Sequence, residues 1–402
     1  MWIVIGIACQ GEIVSGEDKK TEDTSKDDQT NDTFADPSFE PHEDETTESI
    51  EQRLVYTTIR NGGGGGVYIY SPQREEVVWS IVNSRGKHWL DAQQSSDGQR
   101  IYVLEDNLFS PVEHSNLLVF DQNGLIEEHF FRSFHHTIAV HQDAQGEMIF
   151  TLEQEFMGQN PVVITDKVMR YREGFSEPIF EIKNWVNYET LENNFKVLEN
   201  GDIDKSHANT LRYEPSRNSL VLSLAGLNCV VELSTDGIPQ NFFLGKNFSE
   251  TSMNETSATI WSGGEFLKPH GARFDEDGIL WMISDTEYGG EKSKEIQGYQ
   301  LVTTPANTDS ENSPDEEDSS SENTQEQYSI TLQQQVPPPY EGMLPAAGGD
   351  LIPWSNGNFM VTWGFSGVLE EVNKEGERLW MLETPIQESL GFFGSTNIQF
   401  EN

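Results

Sequence analysis

From Val67 onward, short apolar runs alternate with polar turn signals. "SSDGQRIYVLED" (95–106), "DAQGEMIFTLEQ" (143–154), "PSRNSLVLSLAG" (215–226), "DEDGILWMISD" (275–285) and "WSNGNFMVTWGF" (354–365) each place an Asp, Asn or Gly turn before a run of strand formers. That combination predicts a hairpin. A second series falls in the gaps: "VFDQNGLIEEHF" (119–130), "ELSTDGIPQNFF" (232–243) and "EVNKEGERLWML" (371–382), with "YIYSPQREEVVWSI" (68–81) as a similar pair at the start. Long amphipathic helical stretches are absent. Repeated four-stranded units of this kind predict an all-β, six-bladed β-propeller over residues 53–402. Five units show their inner hairpin, and the sixth is expected to be split, with 54–60 pairing the C-terminal strands to close the ring.

Two segments break the pattern. Residues 10–52 are acidic and hydroxylic with almost no aromatic or branched aliphatic side chains, so they read as a disordered tether. "TPANTDSENSPDEEDSSSENTQEQ" (304–327) has the same character and separates "GYQLVTT" from "YSITLQQQV", which places a disordered insertion between two strands of one blade. Before the tether, "MWIVIGIACQGE" is a short apolar run ending in small residues and Cys9. It reads as the remnant of a secretory signal with a lipobox, Cys9 being the lipidated residue. The expected location is therefore outside the cytoplasm, periplasmic or at the cell surface, held by a lipid anchor. With Cys9 so used, Cys229 has no disulfide partner and is expected to be a buried thiol.

Composition sharpens this. The chain has 68 acidic and 25 basic residues among 402, a net charge of −43. Such a charge argues against a general nucleic-acid partner, whose phosphates it would repel. A local cationic cluster in so acidic a chain would in turn point to an anionic ligand.

The histidines supply such a cluster. His88, His136, His207 and His270 each lie just upstream of an inner turn, and Lys87, Arg132, Lys205 and Lys268 lie within four residues before them. Equivalent positions in successive blades are expected to face one central channel at one depth. No HxH or HxxxH pair appears, so no metal site is expected. His114, His129 and His141 have no such echo and read as structural.

"FHHTIAVHQDAQGEMI", "DIDKSHANTLRYEPSRNSLVLSLAGLN", "KPHGARFDEDGILWMISD" and "GGDLIPWSNGNFMVTWG" with "EEVNKEGERLWML" together resemble the bacterial aryl-sulfate sulfotransferases. The resemblance spans most of 85–385. Its most specific element is D-x-x-H-x-N, here Asp204, His207 and Asn209. It implies transfer of a sulfuryl group from an aryl sulfate to a phenol, without a cofactor, through a transient sulfo-histidine. His270 would be the nucleophile, with His207 and His136 binding sulfate oxygens or moving the phenol's proton. His88, Lys87, Lys205, Asn209, Asn228, Lys268 and Arg273 are the expected substrate-binding residues. One departure stands out. The family's Ser-x-Arg element is here Ser223-Leu224-Ala225. Arg273 is expected to supply the missing charge from another blade. Failing that, the chain is a propeller that binds an anionic or aromatic ligand, or a protein, without turnover.

Overall fold

The computed structural model describes residues 53–60, 64–106, 114–132, 134–158, 161–172, 174–188, 196–197, 201–248, 250–288, 291–305, 326–337, 349–354, 357–363, 367–383, 388–396 and 400. The tether, Cys9 and residues 306–325 of the acidic insertion lie outside them. Residues 50–402 form one compact unit.

Six antiparallel sheets follow one another along the chain, as the repeated hairpins predict. Their innermost strands are Glu388–Thr396 (blade 1), His88–Gln94 (blade 2), Phe134–Asp143 (blade 3), Ala208–Glu214 (blade 4), His270–Phe274 (blade 5) and Asp350–Pro353 (blade 6). Blade 1 is shared between the chain ends. Glu388–Thr396 pairs Arg53–Arg60, with Leu54 opposite Ser395. The buried Arg53 adds a bond from Nη1 to the Phe400 carbonyl at 3.1 Å. The two ends of the chain are therefore paired within one blade, which closes the ring.

The turns explain the hairpins. Asp97 Oδ1 accepts from the Gln99 amide at 3.0 Å, and Asp275 Oδ1 accepts from those of Asp277 and Ile279 at 3.0 and 2.8 Å. Each carboxylate replaces a backbone partner within its turn. In blade 4 the left-handed position is held by Asn218, at φ 50°, without a glycine.

The packing explains why the second strands are almost continuously apolar. Alternate residues of a strand point to opposite faces, and each blade is covered on both. Leu220, Leu222 and Leu224 pack against blade 3, with Phe150 and Leu152, while Val221 packs against blade 5, with Phe274 and Met282. The six buried clusters correspond to the six interfaces between neighbouring blades. Aromatic pairs join some of them, such as Trp281 with Phe359 at 4.6 Å and Phe131 with Phe134 at 4.2 Å.

Two edges carry additions that the repeat pattern does not announce. In blade 3, Ile203–Asp204 runs parallel to Val163–Arg172. In blade 4, Thr259–Trp261 runs parallel to Pro239–Leu244. The first addition delivers Asp204 to the mouth of the channel.

Candidate functional site: the histidine mouth of the channel

The head of the innermost strand is irregular in four successive blades. Register shifts fall between Trp89 and Asp91, His135 and Ile138, Ala208 and Thr210, and His270 and Arg273. A bulge re-aims side chains and breaks pairing locally. His136 (φ 61°) and His207 (φ 40°) are left-handed, and Gly271 does the same beside His270 (φ 59°). That region is uncommon for a residue with a Cβ, and each such residue costs about 1–3 kcal/mol and persists only where its surroundings impose it.

For His207 the surroundings are visible. Its amide donates to Asp204 Oδ1 at 3.2 Å, and its Nδ1 lies 2.5 Å from Asp204 Oδ2. The turn Ala225–Leu227 clasps the same loop, with the amides of Ala225 and Gly226 donating to the carbonyls of His207 and Ser206 at 3.1 and 3.0 Å. With Nδ1–H given to Asp204, the Nε2 lone pair of His207 is the one available for chemistry. The His207 side chain is 30% exposed and Asp204 is buried.

His136 lies against His207, ring centroids 5.9 Å apart. Its neighbour His135 is turned to another task. The buried His135 Nε2 is 2.8 Å from Asp166 Oδ1, and Asp166 Oδ2 accepts from Ser206 Oγ and the Ala208 amide at 2.7 and 2.8 Å. His135 thus ties blade 3 to blade 4, while His136 stands beside His207.

His270 is 6% exposed, and its Nε2 is 3.2 Å from Asn209 Nδ2. Burial holds its pKa well below the ordinary histidine range, and the charges of Lys294, His207, His136 and Lys268 push the same way. Burial thus favours the neutral imidazole of His270, with the ammonium groups of Lys294 and Lys268 acting on it. The head of its strand is fixed on blade 4, where the Gly271 amide donates to Thr210 Oγ1 at 2.9 Å and the Ala272 amide to Ser223 Oγ at 3.2 Å.

His136, His207 and His270 thus meet at the heads of three successive inner strands. The four expected histidines are not at one depth, however. His88 opposes Asp106, the last residue of its neighbouring strand, whereas His270 opposes Ile283, in the middle of its own. Burial lowers the His88 pKa, with Asp106 opposing. Register slips introduced by the bulges separate positions that the sequence offsets align.

The other expected residues divide. Lys205 donates to the Tyr188 carbonyl at 2.8 Å and lies 5.2 Å from the Tyr188 ring centroid. Lys268 is more than half exposed and 3.5 Å from Asp285. The carbonyl of Lys87 accepts from the Gly64 amide and from Asn83 Nδ2. Asn228 caps a turn instead of facing the site: its Nδ2 donates to the Lys246 carbonyl and its Oδ1 accepts from the Lys268 amide, both at 2.8 Å. Arg273 does not face the site either. Its strand carries it beyond the bulge, and its side chain lines a separate cavity with Arg212 and His141, away from the three histidines.

Two residues that the sequence does not flag complete the site. Lys294 is 5% exposed, on the third strand of blade 5, and is 3.0 Å from Asp285 Oδ1. The Asp285 amide donates to the Leu267 carbonyl at 2.9 Å, as that of Ala225 does to His207 one blade earlier. Blade 5 thus carries a carboxylate and its buried lysine at the level where blade 4 has Ala225. "GGEKSKEIQG" gives no hint of this, because only pairing register brings Lys294 inward. Among the described residues no group of three or more His, Cys, Asp or Glu side chains is arranged to hold a metal ion.

Past the histidines the channel is crossed by Arg212, 1% exposed. Its Nη1 is 2.7 Å from Asp91 Oδ2 and its Nη2 is 2.7 Å from Asp350 Oδ2. Nη1 also donates to the carbonyls of Ile138 and Leu211 at 3.0 Å. This buried bridge links blades 2, 3, 4 and 6 and forms the floor of the site.

Fold and site together define a six-bladed β-propeller with a histidine-lined channel mouth. No family model matches the sequence, and no curated protein matches it. Solved structures resemble the chain at low identity. A periplasmic gluconolactonase from Pseudomonas aeruginosa is 11% identical, over 86% of this chain and 99% of its own, with a TM-score of 0.47. A streptogramin B lyase is 12% identical, over 83% and 88%, with a TM-score of 0.39. A protein of unknown function from Bacteroides caccae is 12% identical, over 86% and 99%, with a TM-score of 0.41. These likenesses assign no chemistry.

Proposed function

We propose that the chain is a sulfuryl-transfer enzyme of the aryl-sulfate sulfotransferase kind. The observation that supports this most is His270, a neutral, desolvated imidazole surrounded by His136, His207, Lys268 and Lys294. A neutral imidazole is a competent nucleophile, and a cationic surround suits an anionic ester. Sulfuryl transfer, like phosphoryl transfer, needs mainly positioning and charge on the equatorial oxygens.

In the first half-reaction the His270 Nε2 lone pair attacks the sulfur of an aryl sulfate. The N–S bond forms as the S–O bond to the aromatic ring breaks, and the phenolate leaves. Asn209, released from Nε2, then donates to a sulfuryl oxygen. In the second half-reaction His207 Nε2 takes the proton of an incoming phenol. The phenol oxygen attacks the sulfur, the N–S bond breaks to restore His270, and His207 Nε2 gives the proton up to solvent, where the released phenolate can take it. Asp204 stabilises the imidazolium that forms on His207. Lys294, pinned by Asp285, stands in for the cation absent at Ala225.

Ala225 favours a second reading, a propeller that binds an aryl anion without turning it over. It is 3% exposed within its turn and presents no charge beside His207. The two readings part in one assay. Purified protein with a chromogenic aryl sulfate and a phenol acceptor should release coloured phenol, and His270→Ala should not. Saturable binding of the aryl sulfate with no release above His270→Ala favours the second reading.

Export with a lipid anchor on Cys9 completes the proposal. Incorporation of labelled palmitate in cells, lost in Cys9→Ser, tests it.

A further inference from the structure

At the tails of the innermost strands lies a cavity of about 440 Å³. Gln93, Ser95, His141 and Tyr213 form its wall, and Arg212 and Arg273 reach it from within. None of the three site histidines lines it. Arg273 is three residues past His270, on the far side of the bulge that follows that histidine.

The two arginines are in different states. Arg212 is committed to Asp91 and Asp350. Arg273 Nε and Nη2 are buried and have no hydrogen-bond acceptor among the described residues. Leaving buried donors of a charged group unmet is costly. These two atoms form one edge of the guanidinium, the edge that grips both oxygens of a carboxylate at once. The charges acting on Arg273 come from Asp350, Arg212, Glu214 and Asp91. Both aspartates already serve Arg212. Burial pushes the Glu214 carboxyl up to about 7, against the pull of Arg273. Burial also holds the His141 imidazole below its ordinary range, so it adds no second cation. The His141 and Tyr213 rings are 4.2 Å apart and offer an aromatic wall.

We propose that this cavity binds a small monocarboxylate, gripped edge-on by Arg273, with its body against His141 and Tyr213. A sulfate or phosphate dianion lacks the second cation it would need there.

The test is calorimetric titration of the full chain with benzoate, acetate and sulfate. Benzoate should bind saturably at one site per chain, with sulfate weaker by roughly tenfold or more. Arg273→Lys keeps the charge but loses the fork, and should weaken benzoate by at least roughly tenfold. His141→Ala, at the wall, should weaken benzoate more than acetate and keeps the test open if the arginine variant fails to fold. His270→Ala should leave benzoate binding unchanged. The proposal is overturned if neither carboxylate binds saturably, if sulfate binds as tightly as benzoate, if folded Arg273→Lys or His141→Ala binds like the wild type, or if His270→Ala abolishes binding.

Discussion

Asn209 Nδ2 and His270 Nε2 lie 3.2 Å apart and join blades 4 and 5 at the channel mouth. With the amide donating, Nε2 is the acceptor and the imidazole proton sits on Nδ1. The contact therefore fixes which nitrogen can act as nucleophile. Replacing the amide with a carboxylate should invert this relationship. Asn209→Asp places a negative charge against Nε2, favours the imidazolium and removes the lone pair. Turnover of an aryl sulfate at pH 7 should fall by at least roughly tenfold, and the acid limb of the pH–rate profile should move to higher pH. An unshifted limb would contradict the assignment.

Asp204 sets the tautomer of His207 through the 2.5 Å contact. Asp204→Asn removes the carboxylate that stabilises the imidazolium. The kcat for transfer to a phenol should fall by about 10²–10⁴ with KM changed far less. Equal losses in kcat and in substrate affinity would point to a collapsed loop instead.

The bridge at Arg212 should dominate stability. Arg212→Met leaves Asp91 and Asp350 buried without a counter-charge, which costs about 3–5 kcal/mol. Denaturant unfolding monitored by tryptophan fluorescence reads this directly. Adding Asp91→Asn and Asp350→Asn to the same chain should recover much of the loss, because the uncompensated charges are gone.

Two histidines should shape the pH dependence of stability in opposite directions. Burial opposes charge on His135, but Asp166 outweighs it and raises the His135 pKa, while that of Asp166 is lowered despite its own burial. The histidine's contribution is complete below its unfolded pKa of about 6.5 and fades as pH rises through the raised folded value. The aspartate's is complete above about 3.9 and fades as pH falls through its depressed one. The stability lost in His135→Gln should therefore be larger at pH 6 than at pH 9. His270, with its pKa lowered, behaves the other way. Unfolding gains a proton that the folded state refuses, so wild type should weaken as pH falls below about 6.5, and His270→Gln should weaken less.

Much of this architecture is legible in the chain itself. The alternation of turn and apolar run in "PSRNSLVLSLAG" gives both a hairpin and a strand buried on two faces, because Leu222 and Val221 meet different neighbours. The pairing of 54–60 with the C-terminal strands follows from the need to close a ring. Motif-bearing residues Asp204, His207 and Asn209 also fall together, since the spacing is local. What is not legible depends on register between strands. Bulges at His135–Ile138 and His270–Arg273 stagger the histidines and send Arg273 toward the other cavity. Lys294 enters the site from a third strand, and Asn228 leaves it by capping a turn. No residue pattern encodes such placements, because each is decided by the exact register of a hairpin or by the way a turn closes, which the order of apolar and polar residues does not specify.

The central claim is that His270 carries the sulfuryl group between donor and acceptor. The direct measurement is to mix the protein with excess aryl sulfate and no acceptor, quench at high pH, digest and weigh the His270 peptide. The peptide should gain one sulfuryl group on His270, discharged by adding a phenol and absent in His270→Ala. An unmodified His270 peptide alongside steady phenol release, or a sulfuryl group on His207 or His136 instead, would contradict it.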